Sequence, residues 1–235
     1  MIRTVAETGS TNADLLGEAG SLPEGTWLRA ERQTGGRGRL GRTWVSPAGN
    51  LYASTLVHLG AGDPPAATLA LVAAVALHEA ASAWAPGQSE ALRIKWPNDL
   101  MAGSAKLAGI LLERAGDAVV IGFGVNLAET PAGLDRPATT LAAIGGAAAD
   151  PALFLDDLAR AFATWLGRWR AGGVAAIRPA WQARAHATGT PLAAQGRDGA
   201  RREGLFEDLD ASGALRLRLA DGTIETIHAG DVFLL

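Results

Sequence analysis

The sequence predicts an α/β (α+β) protein in which a mixed sheet flanked by helices is followed by a small β-barrel. Strand-like and helix-like segments are interleaved from the N-terminus to His186, as expected when helices cover a sheet. Beyond His186 the pattern changes to short strands separated by glycine-containing turns, which is typical of a small all-β unit. We therefore expect two domains, residues 1–186 and residues 187–235.

The first part of the larger domain is predicted to contain a capped helix, two strands and an alanine-rich helix. Ser, Thr and Asn begin the segment at residues 10–19, and these side chains favour helix N-termini. A proline pair begins the second helix, residues 64–84. Its most apolar window, residues 66–85, contains His78 and Glu79, so we interpret it as a buried helix and not a membrane span. The two strands are expected at residues 26–31 and 51–59.

The second part of this domain is predicted to contain three strands, a linker and two helices. The strands are expected at residues 91–96, 107–114 and 118–126. Gly116-Asp117 is suited to a hairpin turn between the last two strands. Small residues at 145–150 indicate a linker before helices at residues 151–170 and 174–185. The first helix carries apolar residues at helical spacing, a pattern more typical of core than of a site. These residues are Phe154, Leu158, Phe162, Trp165 and Trp169.

The barrel is predicted from four short strands and the turn dipeptides between them. The strands are expected at residues 191–194, 202–209, 214–219 and 223–228. The turns are expected at Asp198-Gly199, Ser212-Gly213 and Asp221-Gly222. An aspartate or serine followed by glycine suits tight turns, because glycine readily adopts positive φ angles.

Composition excludes several classes of function. The net charge of −3 and the pI near 5.8 provide no bulk attraction for nucleic acid or an anionic membrane. The chain has no cysteine and only four scattered histidines, so we expect no metal held by the protein alone. The N-terminus lacks the basic start and apolar run of a signal peptide. We therefore expect a cytoplasmic protein that binds neither DNA nor membrane.

An arginine- and glycine-rich segment, residues 33–44, is the strongest local feature of the sequence. It carries three arginines and four glycines, which suits a loop that closes over a phosphate or carboxylate. Residues 36–41 formally match the dinucleotide-binding glycine pattern, but Pro47 and an extended stretch follow instead of a helix. The chain has no Walker-type phosphate-binding motif. An RNA-binding Arg-Gly segment would usually be longer and repeated.

Three further segments carry candidate ligand-binding residues. Lys95 and Lys106 are the only lysines among 21 basic residues, which suggests positions where a compact ammonium is needed. Lys95 begins Lys-Trp-Pro-Asn-Asp at a predicted strand end, where sheets often position ligands. Lys106 precedes an apolar strand that contains Gly109, and Gly-Phe-Gly-Val-Asn ends the next strand at Asn126. Glycine inside a strand permits close approach of a ligand or of another backbone.

In order and spacing these segments resemble the catalytic domain of the biotin protein ligases. The resemblance covers nearly the whole chain and rests on the segments at residues 10–12, 33–44, 95–99, 106–111 and 122–126. It implies a mixed sheet related to that of class II tRNA synthetases and an SH3-like C-terminal barrel. It also implies an ATP- and magnesium-dependent enzyme that activates biotin as biotinyl-5′-AMP. Biotin then passes to a specific lysine of a biotin carboxyl carrier protein or domain.

The resemblance also assigns roles to individual residues. Catalysis is expected from Lys106, Arg39 and Arg42. Biotin is expected to contact Ser10, Thr11, Asn12, Gln33, Gly36, Arg37, Gly38, Arg39, Lys106 and Gly109. The nucleotide is expected to contact Arg39, Arg42, Trp44, Lys95, Asn98, Asp99, Lys106 and Asn126. Asp99 is also a candidate to orient magnesium through water or a phosphate. Residues 127–149 lack the aromatic that often lies beside adenine, which leaves Leu141 and Ile144 as candidates.

Two other functions are compatible with these segments. A lipoate ligase would share the fold and the adenylation chemistry, but lipoate lacks the ureido group that a hydroxyl- and amide-lined pocket would bind. A non-catalytic adenylate- or RNA-binding module is the alternative outside enzymes. Only nine residues precede Ser10, so we expect no winged-helix domain and no repressor activity. Family members are often homodimers, and no segment of the sequence identifies an interface.

Overall fold

A seven-stranded mixed sheet forms the larger part of the computed structural model, which describes residues 1–131, 136–145, 149–196 and 199–235. Along the chain the strands are β1 (Ile2–Thr8), β2 (Trp27–Gln33), β3 (Leu51–His58), β4 (Leu92–Lys95), β5 (Asp99–Ala102), β6 (Ala105–Ala115) and β7 (Ala118–Val125). Their order in the sheet is β1-β2-β3-β7-β6-β5-β4. The β1–β2 pair is parallel and the other neighbours are antiparallel, which confirms a mixed sheet.

Three α-helices flank this sheet in the described residues: α1 (Thr11–Glu18), α2 (Leu69–Trp84) and α3 (Pro151–Arg184). The hydroxyl of Ser10 caps α1 by accepting a hydrogen bond from the amide of Ala13 at 3.4 Å. Helix α3 is interrupted at Gly173, where φ is 64° and ψ is −159°. This break lies between the two helices that the sequence predicts in this region. Only glycine adopts such a backbone conformation readily.

Helices α2 and α3 pack against each other and supply much of the core. The apolar residues that the sequence places at helical spacing in α3 are buried, which confirms that they belong to the core. They are Phe154, Leu158, Phe162, Trp165 and Trp169. The indole of Trp169 donates a 2.8 Å hydrogen bond to the hydroxyl of Thr68, just before α2. The segment Ala66–Trp84 is long and apolar enough to cross a membrane. Its side chains are mostly buried inside the protein, as expected for a core helix.

The C-terminal part forms a five-stranded antiparallel sheet in the order β11-β10-β9-β8-β12. Its strands are β8 (Pro191–Gly196), β9 (Arg201–Leu209), β10 (Leu215–Arg218), β11 (Ile224–Ile227) and β12 (Gly230–Leu234). Gly213 and Gly222 occupy the predicted turns with φ of 85° each. Asp198 of the remaining predicted turn lies outside the described residues.

The smaller sheet packs against helix α3 and meets the larger sheet near the end of β4. Their apolar side chains form one continuous core, in which the rings of Trp181 and Phe206 are 6.3 Å apart. The indole of Trp96 donates a 3.2 Å hydrogen bond to the carbonyl of Gly213. The carbonyl of Val232 accepts a hydrogen bond from Lys95 at the end of β4, which places β12 beside that edge of the larger sheet.

Candidate active site

A cavity of about 500 Å³ lies between one face of the larger sheet, the arginine- and glycine-rich loop and β12. Most residues expected to bind ligand line this cavity. They are Ser10, Thr11, Asn12, Gln33, Arg37, Gly38, Arg39, Arg42, Trp44, Lys95, Asn98, Asp99, Lys106, Gly109 and Asn126. Gly36 does not line it. The backbone of Gly36 packs against that of Trp44, and a Cβ at Gly36 would be 2.5 Å from the carbonyl oxygen of Trp44.

The floor of the cavity depends on glycines of β6 and β7. Gly109 and Gly124 are paired across these strands, and the indole of Trp44 lies directly over both. A Cβ at Gly124 would come 2.4 Å from the Trp44 ring, and one at Gly109 would come 3.0 Å from it. The sequence indicated close approach of a ligand or of another backbone at these glycines, and in the structure the approaching group is the side chain of Trp44.

Hydroxyl and amide groups form a hydrogen-bonded network at one end of the cavity. The side-chain oxygen of Gln33 accepts from the amide of Thr11 at 2.9 Å and from its hydroxyl at 3.1 Å. The hydroxyl of Ser54 lies 2.7 Å from that of Thr11 and donates to the side-chain oxygen of Asn12 at 2.6 Å. The amide of Asn12 donates to Glu113 at 2.8 Å. These contacts fix polar groups next to the apolar floor.

A buried carboxylate joins both lysines at the other end. One oxygen of Asp99 lies 2.6 Å from Lys106 Nζ and the other lies 3.1 Å from Lys95 Nζ. Burial alone would raise the pKa of Asp99, but the positive charges of Lys106 and Lys95 outweigh it and hold the pKa below its ordinary value. Lys95 also donates to the carbonyl of Val232 at 3.2 Å. Lys106 lies 5.4 Å from the centre of the Trp44 ring.

The arginine- and glycine-rich loop is folded against β12. The guanidinium of Arg39 donates to the carbonyl of Gly230 at 2.9 Å and lies 3.4 Å from Asp231. Arg42 contacts the same Asp231 carboxylate, which is largely buried with 11% of its side chain exposed. Arg37 pairs instead with Glu113 at 3.3 Å. Two guanidiniums expected to meet phosphate therefore share one carboxylate of the C-terminal sheet.

The region expected to hold the nucleotide base is lined by asparagines and aliphatic groups. Asn98 donates to the carbonyl of Ile110 at 2.7 Å, and Asn126 donates to that of Thr139 at 3.2 Å. The side-chain oxygen of Asn126 is buried and has no hydrogen-bond partner among the described residues. Leu141 lies in the core and Ile144 packs against it. Neither lines the cavity, which receives Pro131, Arg136, Pro137 and Ala138 from this segment.

The described residues do not fit a protein-held magnesium ion. No group of three or more His, Cys, Asp or Glu side chains in that part of the chain could hold a metal. Both oxygens of Asp99, the sequence-based candidate, are engaged by lysines. A magnesium ion placed at this carboxylate would be repelled by the two ammonium groups that already contact it.

Comparisons with known proteins identify the family of the chain. Residues 8–126 match the biotin/lipoate A/B protein ligase family, and residues 195–235 match the biotin protein ligase C terminal domain. The chain is 45% identical over 240 residues to the biotin--[acetyl-CoA-carboxylase] ligase of Paracoccus denitrificans, covering 97% of this chain and 98% of the relative. It is 35% identical to the Mycobacterium tuberculosis ligase of the same name, covering 97% and 86% of the two chains.

The fold is also that of a solved relative. The structure of biotin protein ligase from Aquifex aeolicus in complex with biotin and ATP superposes with a TM-score of 0.87 at 26% identity, covering 100% of this chain and 99% of that one. The chain therefore belongs to the biotin/lipoate A/B protein ligase family. Within that family it is a biotin protein ligase, an ATP-dependent enzyme that attaches biotin to protein.

Proposed function

We propose that this one cavity binds biotin at its hydroxyl- and amide-lined end and the phosphates of ATP at its cationic end. The observation that carries the proposal is that Lys106 lines this cavity, over Trp44 and beside Gly109. Biotin with its ureido ring near Asn12 would direct its carboxylate toward this ammonium. The α-phosphate of ATP would approach the same ammonium from the side of Arg39.

The reaction that follows from this arrangement has two steps. A biotin carboxylate oxygen attacks the α-phosphorus of ATP and pyrophosphate leaves, which forms the mixed anhydride biotinyl-5′-AMP. The amine of the acceptor lysine then attacks the biotin carbonyl and AMP leaves. Two unit anions about 4 Å apart repel by roughly 4 kcal/mol at an effective dielectric of 20. Lys106, Arg39 and Arg42 supply the positive charge that offsets this repulsion.

The polar network supports biotin over lipoate. A ureido group offers two N–H donors and one carbonyl acceptor, and the side chains of Thr11, Asn12 and Gln33 include both donors and acceptors. Lipoate has no ureido group to exchange hydrogen bonds with these side chains, so it would gain less from the polar end of the cavity than biotin. The network would therefore discriminate against lipoate even though the adenylation chemistry is shared.

An acceptor assay tests this proposal. The enzyme is incubated with ATP, magnesium and a biotin carboxyl carrier domain, with biotin or lipoate as the sole acid. We expect pyrophosphate release and a mass gain on the carrier with biotin only. Release with lipoate would identify a lipoate ligase, and binding of adenylate without release would identify a non-catalytic module. Magnesium enters this assay as the counterion of the ATP substrate.

A second prediction concerns retention of the adenylate. Replacing Arg39 with alanine removes its contacts with Gly230 and Asp231 and leaves Arg42 as the loop arginine that contacts Asp231. We expect the variant to form biotinyl-5′-AMP but to release more of it, because the loop would exclude water and retain the intermediate less well. The measurement is free adenylate in the medium without acceptor. Arg32→Ala is the matched control, since Arg32 pairs with Glu7 on the surface. Unchanged retention of the adenylate in the Arg39 variant would contradict the role of Arg39 in holding the loop closed.

A further inference from the structure

One cavity-lining cation differs from the others in its partner. Arg37, Arg39, Arg42, Lys95 and Lys106 each pair with a carboxylate of Glu113, Asp231 or Asp99. Arg136 also lines the cavity and is exposed, but it forms no ion pair with any acid in the described part of the chain. Its guanidinium stacks on the ring of Phe233 at 4.5 Å from the ring centre.

The backbone of the Arg136 segment is held beside Lys106. The amide of Lys106 donates to the carbonyl of Pro137 at 2.9 Å, and the amide of Thr139 donates to the carbonyl of Lys106 at 3.0 Å. Lys106 and Ala138 form a parallel bridge. Arg136 therefore lies two residues before Ala138, whose backbone is paired with that of Lys106. Lys106 is the residue proposed to hold the α-phosphate.

Strand β12 places Arg136 on the same side of the cavity as the loop arginines. Residues two apart on a strand point to the same face, so Phe233 and Asp231 of β12 project together. Asp231 holds Arg39 and Arg42, while Phe233 holds Arg136. One strand of the C-terminal sheet thus contacts three cavity-lining guanidiniums, whereas Arg201, which lies 5.9 Å from the centre of the same Phe233 ring, does not line the cavity.

We propose that Arg136 binds the β- and γ-phosphates of ATP and the pyrophosphate that leaves, and that Phe233 positions its guanidinium. Stacking on an aromatic ring engages the face of a guanidinium and leaves the N–H donors at its edge directed outward. Those donors fit the oxygens of a terminal phosphate. This inference rests on the proposed orientation of ATP in the cavity. It assigns Arg136 to the activation step alone, because the β- and γ-phosphates have left before biotin is transferred.

The test compares Arg136→Ala with Arg168→Ala. Arg168 is likewise exposed and stacks on an aromatic ring, at 4.4 Å from the centre of Trp165, but it does not line the cavity. Calorimetry measures binding of ATP, pyrophosphate and AMP, and kinetics measure KM and kcat for adenylation. For Arg136→Ala we expect binding of ATP and pyrophosphate to weaken roughly ten- to hundredfold, the range for a lost hydrogen bond to a charged group. Binding of AMP and biotin should stay within about twofold of the control, since neither ligand carries the terminal phosphates.

A second pair of measurements separates binding from folding. Transfer of biotin from supplied biotinyl-5′-AMP to a carrier domain should be unchanged in Arg136→Ala. Phe233→Leu should raise the KM for ATP by a smaller factor with kcat retained, whereas a fold defect would lower transfer as well. Equal weakening of ATP and AMP, or no change in pyrophosphate binding, would overturn the assignment of Arg136. Failure of the unsubstituted enzyme to release pyrophosphate with biotin would instead refute the proposed function.

Discussion

Replacing Lys106 with alanine is expected to reduce biotin-dependent pyrophosphate release by a factor of about 10²–10³, or roughly 3 kcal/mol or more in activation free energy. Lys106 lies next to Asp99 and over Trp44, where we propose that the biotin carboxylate and the α-phosphate meet. Its ammonium would neutralise the carboxylate and the α-phosphate as they approach, an interaction that strengthens in the transition state. The measurement is single-turnover release of pyrophosphate with biotin and ATP saturating.

The control for this prediction is a variant that keeps the positive charge at position 106 and replaces the compact ammonium with a planar guanidinium. Lys106→Arg retains a cation beside Asp99, so its thermal stability should resemble that of the native enzyme more closely than that of the alanine variant. Its rate should remain well below that of the native enzyme, because a flat guanidinium does not reproduce a compact ammonium over the Trp44 ring. Near-normal release by Lys106→Ala, in a variant shown to be folded, would remove Lys106 from the mechanism.

The sequence predicted the elements with strong apolar patterns and missed those without them. Strand β3 is buried along nearly its full length, and it was predicted within a residue of its end. Strand β1 alternates exposed and half-buried residues at the edge of the sheet, and β5 has only four residues. Such segments acquire strand structure by pairing with neighbours and not from their own composition. Strand β12 was also missed, and it supplies Asp231 and Val232 to the lining of the cavity.

The candidate site was predicted where its residues lie close together along the chain. The loop, the lysines and the strand glycines all carry local patterns, and the fold brings them to one cavity. Their partners carry none: Ser54 lies within an apolar strand, and Asp231 meets Arg39 across 192 residues of sequence. No local signal marks a carboxylate that becomes important only when a second sheet packs against the first. Arg136 was not predicted as a site residue for the same reason, because its aromatic partner, Phe233, lies on β12.

Replacing Asp99 with asparagine is expected to lower the free energy of unfolding by about 3–5 kcal/mol, the range for a buried ion pair that loses one partner. The side chains of Lys95 and Asp99 are 8% and 10% exposed, so the variant would leave the Lys95 ammonium buried without a counterion. Because Lys106 and Lys95 hold the pKa of Asp99 below its ordinary value of 3.8, its stabilising contribution is fully present above that pH. It is lost as the pH falls below 3.8 toward the pKa of the folded state.

Denaturant unfolding at neutral pH and at acidic pH measures both effects. Asp208→Asn is the matched control: it breaks an aspartate pair with Arg216 whose partners are each about a third exposed, and it should change stability by no more than about 1 kcal/mol. The double variant Asp99→Asn with Lys95→Met should recover much of the lost stability, because it removes the buried charge that the single variant leaves unpaired. If the single variant is as stable as the native protein, or if the double variant is less stable than the single one, the buried carboxylate does not hold the two lysines in place.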